Sequence, residues 1–517
     1  MESIIFGKNR HFFGGLEPSN MLLLKAINNN GVIEITAELP SDTVVDGQTL
    51  CSVAGAIIRR KIGSYPEDEF DGELVVDVKE SGTYVDSDAN PEDSVCYAAF
   101  PYSDQGVYNR STVRSRATIV HTPDEQPSYI FGYDLDLSDP DPSTRVTYPD
   151  DVDNYGYTPA GMNYSTDDFE YGDWPSVSGV GFIPRPCMLA FDGTVAEYLD
   201  PYDYSLTEDG LTSSVSDYNF EGNAMMEWPK IYTKRWEENG IYHFRCSDVK
   251  VDDDYECWCN YDKNNNEIDH FYTAIYAGDN GNDTKSRSIS DNSMQPGHLN
   301  SLSTAIQRAV ENGVDWNVET LSDRLLINDL LVMMSKTTDS QTAFGSGLTD
   351  LNVHYNGSMN TKGMFYGSKS GSKAVKVFGM ENWWGKYPRY VVGWITDNGV
   401  SKIKMTSGTK DGTTVNEYNA TGDGYLTIGT VQSASNGLYI NQCLTKEFGR
   451  FPCPVEGGSS STYECDIYVC NTTVGLGYVM IGSSKNEYYS YGPFATWIQA
   501  IGSGIGYVGI SCKPQAT

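Results

Sequence analysis

A period of two in the apolar positions dominates the first quarter of the chain. The runs Gly31-Val-Ile-Glu-Ile-Thr-Ala, Ala56-Ile-Ile-Arg-Arg, Glu73-Leu-Val-Val-Asp-Val and Val95-Cys-Tyr-Ala-Ala-Phe are separated by Gly, Pro, Asn or Asp. β-Branched and aromatic residues fit a pleated, half-buried surface, so these runs predict strands, and their spacing predicts a small antiparallel sandwich over 21–121. Ahead of it, Phe6, Phe12 and Phe13 with Gly14 and Gly15 make 1–20 a short apolar arm, for attachment to a neighbouring subunit or for packing on its own domain. Over 122–173 neither period is evident, and Asp134-Leu-Asp-Leu-Ser-Asp-Pro-Asp-Pro and Asp150-Asp-Val-Asp-Asn-Tyr predict an acidic, Pro/Tyr-rich linker or extended strap.

From Trp174 to the end the pattern predicts one large α+β unit: strands, two helices, then strands. Ser301-Leu-Ser-Thr-Ala-Ile-Gln-Arg-Ala-Val-Glu-Asn carries Leu302, Ile306, Ala309 and Val310 on one stripe and stops at Asn312-Gly313. The second helix opens at Thr320-Leu-Ser-Asp323, a start resembling a capping box, and runs through Leu325, Leu326, Leu330, Leu331, Val332, Met333 and Met334. It is apolar on most sides and therefore expected to be buried, its Leu and Met residues serving as core. Trp383 and Trp384 are read as core fillers in the same way.

Composition sharpens the picture. A chain of 517 residues is too long for one core, and Gly 51 and Tyr 36 with 21% charged residues suit a loop-rich, mainly β protein. The net charge of −34 argues against nucleic-acid binding, which needs Lys and Arg to neutralise phosphates, and against an anionic membrane surface. It suits solubility and keeps a crowded assembly apart. No apolar stretch is long enough to predict a membrane-spanning helix, and Met1–Arg10 lacks the pattern of a secretory signal. The eleven cysteines, scattered except for Cys257 and Cys259, read as reduced thiols of a protein made in a cytoplasm.

Candidate chemistry is sparse. Cys257, Cys259, His243 and Cys246 could be assembled into a zinc site, but a C-x-C without a second pair is a weak signal. Asp262-Lys-Asn-Asn-Asn-Glu-Ile-Asp is the nearest approach to a calcium loop, yet it has Glu267 at the sixth position and Thr273 at the twelfth, so an EF-hand is excluded; a looser calcium site stays open beside solvated surface acids. Glu227 with Lys230, or with Asp248, could act as an acid/base pair for glycoside hydrolysis, but Met-Met-Glu-Trp-Pro reads more simply as a structural strand. The expectation is no catalytic residue, no metal and no cofactor.

Three stretches carry resemblances. Ile58-Arg-Arg-Lys-Ile-Gly-Ser-Tyr-Pro, Asp71-Gly and Tyr97-Ala-Ala-Phe-Pro-Tyr-Ser-Asp-Gln-Gly-Val-Tyr resemble the fibronectin-type-III-like modules of phage fibre proteins, which implies a spacer; Val95 stands where many such modules place a tyrosine. Arg185-Pro-Cys-Met-Leu-Ala-Phe-Asp-Gly, Asn223-Ala-Met-Met-Glu-Trp-Pro and His270-Phe-Tyr-Thr-Ala-Ile-Tyr-Ala-Gly resemble a stretch shared by many phage fibre and virion proteins. Phe378 to Trp394, with Asn382 and Trp384 in an Asn-x-Trp, resembles the core of the C-type-lectin fold in the version shared by formylglycine-generating enzymes and phage tropism determinants. The departures matter. Val479–Gly509 contains no cysteine, against the copper-dependent oxidation of those enzymes, and Gln295-Pro-Gly and Trp316-Asn-Val do not reproduce the sugar-binding calcium motifs.

What remains is display. Residues 478–510 alternate an apolar, Gly-rich frame with Tyr, Ser, Asn and Trp, the mixture from which antibody paratopes are made, and resemble the variable region of proteins diversified by retroelements. Expected contact positions are Ser484, Lys485, Asn486, Tyr488, Tyr489, Tyr491, Phe494, Thr496, Trp497 and Tyr507, with Phe494 and Trp497 the first that burial would remove. The resemblances imply a mainly β chain, an immunoglobulin/fibronectin-like β-sandwich followed by a C-type-lectin-like domain. They also imply a non-enzymatic tail or head fibre on the virion surface, made in the host bacterial cytoplasm. Its partners would be a host cell-surface glycan or protein and other virion proteins, in a homo-oligomer that is trimeric by analogy with other fibres, with no nucleic acid and no membrane insertion. A structural capsid or tail decoration protein is the alternative, and a polysaccharide-degrading enzyme the third reading.

Overall fold

The computed structural model describes residues 16–514 except 30–31, 46, 63–64, 90–94, 111–112, 117, 121–128, 279–283, 291–297, 300, 349–353, 371–372, 406–424, 472, 484–490 and 501–505. The expected attachment arm thus falls almost wholly outside the described residues. The chain is mainly β and divides into two compact units: Met1–Gln126 with Glu208–Leu211, and Pro127–Thr207 with Thr212–Thr517.

In the smaller unit, one four-stranded sheet runs in the order Thr118–Val120, Leu23–Asn29, Val32–Glu38, Gly82–Asp86, and a second in the order Glu73–Val78, Val53–Ile62, Val95–Ser103, Val113–Arg116. Ile33, Ile35 and Ala37 of the first sheet meet Ala56, Ile58, Tyr97 and Ala99 of the second in a single core. The alternating side chains point to opposite faces of a strand, so the period of two in the sequence becomes one buried and one wet face. The polar tip of Tyr97 is accommodated by its hydroxyl donating to Asp86 Oδ2 at 2.9 Å, and Arg60 pairs with the same carboxylate.

The larger unit holds a seven-stranded sheet in the order Asp203–Thr207, Val195–Asp200, Arg185–Ala190, Gly222–Pro229, His270–Ala274, Ile510–Cys512, Trp316–Val318. A second sheet runs His298–Leu299, Gly506–Tyr507, Arg389–Asp397, Leu476–Ile481, Thr496–Ala500, Ile467–Cys470, Ala434–Tyr439, with Val400–Ile403 and Leu426–Thr430 extending from Arg389–Asp397. Both helices expected from the sequence are present. Helix α1 (Leu302–Val310) is capped by Ser301, and helix α2 (Leu321–Ser335) by Thr320 with a reciprocal capping box to Asp323. All fifteen residues of α2 are buried, as expected of a helix apolar on most sides. A short third helix, α3 (Ser340–Phe344), was too short to leave a periodic signal.

The linker expected over 122–173 is corrected: from Phe131 onward this stretch is folded into the larger unit. Phe131–Asp136 is an inner strand of a sheet ordered Val146–Thr147, Phe131–Asp136, Ile241–Ser247, Tyr232–Glu238. Phe131, Tyr133 and Leu135 are buried, and Tyr148, Val152 and Trp174 join them in the interior. Many of the acids that masked this period are turn-formers. Asp136 Oδ1 accepts from the Ser138 amide at 2.8 Å, Asp139 Oδ1 from Asp141 at 2.9 Å and Asp141 Oδ1 from Ser143 at 2.9 Å.

Candidate binding face

The terminal segment is built on buried charge. Glu319, just before α2, accepts from Arg324 Nε at 2.9 Å and Nη2 at 2.6 Å, and from Arg389 Nη1 at 2.6 Å, all three side chains being wholly buried. A buried ion pair is tolerable only if its remaining protons find acceptors. Here Arg389 Nη2 reaches Glu381 O at 2.8 Å, and Arg324 Nη1 reaches Trp383 O at 3.0 Å while its guanidinium stacks 3.5 Å from the Trp383 ring centroid; Arg389 Nε alone of this set has no acceptor among the described residues. Burial, with Arg389 alongside, pushes the Arg324 pKa down to about 10 despite Glu319. Asn328 on α2 accepts from Trp383 Nε1 at 3.0 Å and donates to Pro493 O at 2.8 Å, and so ties the Trp pair to the terminal segment.

Two glycines show how closely the terminal frame lies on this centre. A Cβ on Gly509 would sit 1.8 Å from Glu319 Oε1. Gly482 has φ of 84° and a Cβ there would meet Trp383 O at 2.7 Å. Only glycine allows this approach. Leu476–Ile481 and Thr496–Ala500 pair antiparallel, Met480 opposite Trp497 and Ile481 opposite Thr496, and these two strands bracket residues 484–490.

Of the ten expected contact residues, Ser484, Lys485, Asn486, Tyr488 and Tyr489 lie outside the described residues. Tyr491, Phe494, Thr496 and Trp497 are buried at 2%, 7%, 1% and 6% exposure, and this corrects their reading as surface contacts. Phe494 N donates to Asp466 Oδ2 at 2.8 Å with the Arg450 guanidinium 4.8 Å from its ring, and Thr496 Oγ1 donates to Phe494 O at 2.9 Å. Tyr507 is half-buried, its ring 4.6 Å from that of Tyr387. Asp466 also accepts from Gln341 Nε2 at 3.0 Å, and burial pushes its pKa up to about 8.

No family model and no curated protein matches this chain. The remaining candidates are judged by their partners. Glu227 does not pair with Lys230 or Asp248: it accepts from Tyr272 at 2.7 Å and Tyr198 at 3.1 Å, while Lys230 pairs with Asp269 at 3.2 Å and Asp248 accepts from the Tyr129 amide at 3.3 Å. His243 Nδ1 lies 2.7 Å from Asp134 and Cys246 Sγ is 4.0 Å from Met333 Sδ, so these two candidate zinc ligands have separate partners. Asp262 is 1% exposed and its carboxylate accepts from Asn264 N, Asn266 N and Asn266 Nδ2 within its own turn. Among the described residues no group of three His, Cys, Asp or Glu is disposed to hold a metal ion, and no helix is long and apolar enough to cross a membrane.

Sequence reasoning missed the buried ionic centre and a second one beside it. Asp329 on α2 accepts from Arg235 Nε at 2.8 Å and from Tyr133 at 2.7 Å, Arg450 lies 4.0 Å away, and Arg450 Nη1 in turn meets Glu464 Oε1 at 2.5 Å. The signal was there: charged residues at 323, 324 and 329 inside an otherwise apolar helix.

Proposed function

We propose that this chain is a non-enzymatic virion surface protein, a tail or head fibre, that binds a host cell-surface glycan or protein through residues 484–490. The observation that carries the reading is the bracing of the two strands on either side: their roots are buried, glycine-fitted to a fully buried Glu–Arg–Arg centre, and tied to α2 through Asn328. A frame anchored in this way tolerates side-chain change in the segment that joins its strands, and Lys485, Asn486, Tyr488 and Tyr489 are contact-making residue types. The C-type-lectin-like reading of the larger unit rests on the Asn382-x-Trp384 segment, both of whose tryptophans are buried. The strand order of the smaller unit supports an immunoglobulin/fibronectin-like spacer. Several copies on one particle would turn weak contacts into avidity.

The test is binding of the full chain to candidate host bacteria beside a Tyr488→Ala/Tyr489→Ala variant with an unchanged unfolding transition. Loss of binding in the variant alone supports the reading; equal binding of both moves the receptor site elsewhere. A second reading, a decoration protein packed against virion neighbours, draws on the smaller unit, where Leu22, Val32, Val44, Val45, Leu50, Ile62, Phe70, Leu74 and Val85 are all exposed. Binding of neither protein to any host would favour it.

A further inference from the structure

We infer that an open hairpin of the smaller unit is the docking site for this chain's own residues 8–13, which lie on it as a third strand with the rings of Phe12 and Phe13 on its two faces. The hairpin is Thr43–Val45 with Gln48–Cys51, turned at Gly47 with φ of 77°, and it pairs with no other strand among the described residues. Two strands alone are marginal in water, and their outer backbone groups are open to a further strand. The side chains are as open as the backbone. Val44 and Val45 are neighbours in one strand and so point to opposite faces, and they are 55% and 49% exposed. Leu50, 47% exposed, shares the face of Val45, which pairs with Gln48. Aliphatic side chains on both faces of an open hairpin call for a cover.

Reach, pattern and charge select the occupant. Leu16, the first described residue, is held beside the hairpin: Cys51 Sγ donates to its carbonyl at 3.2 Å, and Asn109 Nδ2 donates to the carbonyl of Pro18 at 2.8 Å. Gly14 and Gly15 permit a turn of either hand just before it. Phe13 and Phe12 stand three and four residues ahead of Leu16, a reach of up to ~10 and ~14 Å. Val44 pairs with Thr49, two residues from Cys51 and therefore only ~7 Å along the strand. Adjacent phenylalanines in an extended segment put one ring on each face, which matches Val44 on one side and Val45 with Leu50 on the other. Asp42 and Asp104 flank Cys51, whose thiol pKa is pushed up by burial and then by these two carboxylates. Neither carboxylate forms an ion pair among the described residues, and Lys8 and Arg10 immediately precede the phenylalanines. A segment tethered this closely meets the hairpin at an effective concentration of the order of millimolar, which a neighbouring copy in dilute solution does not match. Nothing here involves 478–510, so the proposal stands or falls apart from the terminal face.

The test is hydrogen exchange read by mass spectrometry on the full chain, beside a Phe12→Ala/Phe13→Ala variant. In peptides covering 43–51 the parent is expected to exchange at least ~10-fold more slowly than the variant, the equivalent of burying one phenylalanine ring. The ratio is expected to be the same at low and high protein concentration. Val44→Lys/Leu50→Lys gives the reciprocal reading: both positions are exposed, the new charges repel Lys8 and Arg10, and peptides covering 4–13 should exchange faster than in the parent. Peptides covering the buried strand Val95–Ser103 should exchange alike in all three proteins, which verifies the fold. Equal exchange of 43–51 in the parent and the phenylalanine variant would overturn the proposal. Protection that appears only as concentration rises would overturn it too, by assigning the hairpin to a neighbouring copy.

Discussion

Replacing Glu319 by Gln removes one negative charge from a centre with no access to water. The three side chains are wholly buried, and Glu319 takes three guanidinium hydrogen bonds between 2.6 and 2.9 Å. With Gln in its place, Arg324 and Arg389 keep only carbonyl and ring partners, and the new amide NH₂ points a donor at a donor. Breaking a buried pair from one side costs about 3–5 kcal/mol, because the orphaned charge stays in the interior. At about 1.4 kcal/mol per decade, this is a drop of two to three and a half orders of magnitude in the folding equilibrium constant. All nine tryptophans, from Trp174 to Trp497, belong to the larger unit, so tryptophan fluorescence in urea reads that unit alone. The midpoint should fall with the slope unchanged, and adding Arg389→Met should recover part of the loss by removing one of two unmatched cations. A loss below about 1 kcal/mol would refute the argument, since it would mean that water or a rearranged partner reaches these guanidiniums.

Two further perturbations probe the frame. Burial raises the Asp466 pKa from 3.8 to about 8, so the folded state keeps a proton that the unfolded chain releases. This site's contribution is therefore full below the unfolded value and is lost as pH rises through about 8. Asp466→Asn, whose amide can pair with a rotated Gln341, should flatten the decline in urea midpoint between about pH 5 and about pH 8, and an equally steep decline in the variant would place its origin elsewhere. Gly509→Ala drives a methyl to 1.8 Å from Glu319 Oε1 and should cost at least ~1–3 kcal/mol by overpacking. An unaltered thermal midpoint would show that the backbone can retreat and that the frame is less rigid than described.

Local pattern was enough for much of the fold. The capping box at Thr320, the stripe of α1 and the alternation of Val32–Glu38 depend on near neighbours in sequence, and each reappears as an element with the expected bounds to within a residue or two. Leu321–Ser335, apolar on most sides, likewise called for burial before any partner was known. What only the tertiary structure decided is where polar groups stand. Phe131–Asp136 was hidden because its alternate aspartates resemble a linker until the pairing with Ile241–Ser247 is in place. Tyr491, Phe494 and Trp497 have a composition that suits a contact surface or a core equally, and their burial comes from strands more than a hundred residues away in the chain as well as from near ones. Glu319, Arg324 and Arg389 look like surface charge in the sequence because the cost of burying a charge depends on its counter-charge, and Arg389, seventy positions on, reaches Glu319 only after the chain has folded back.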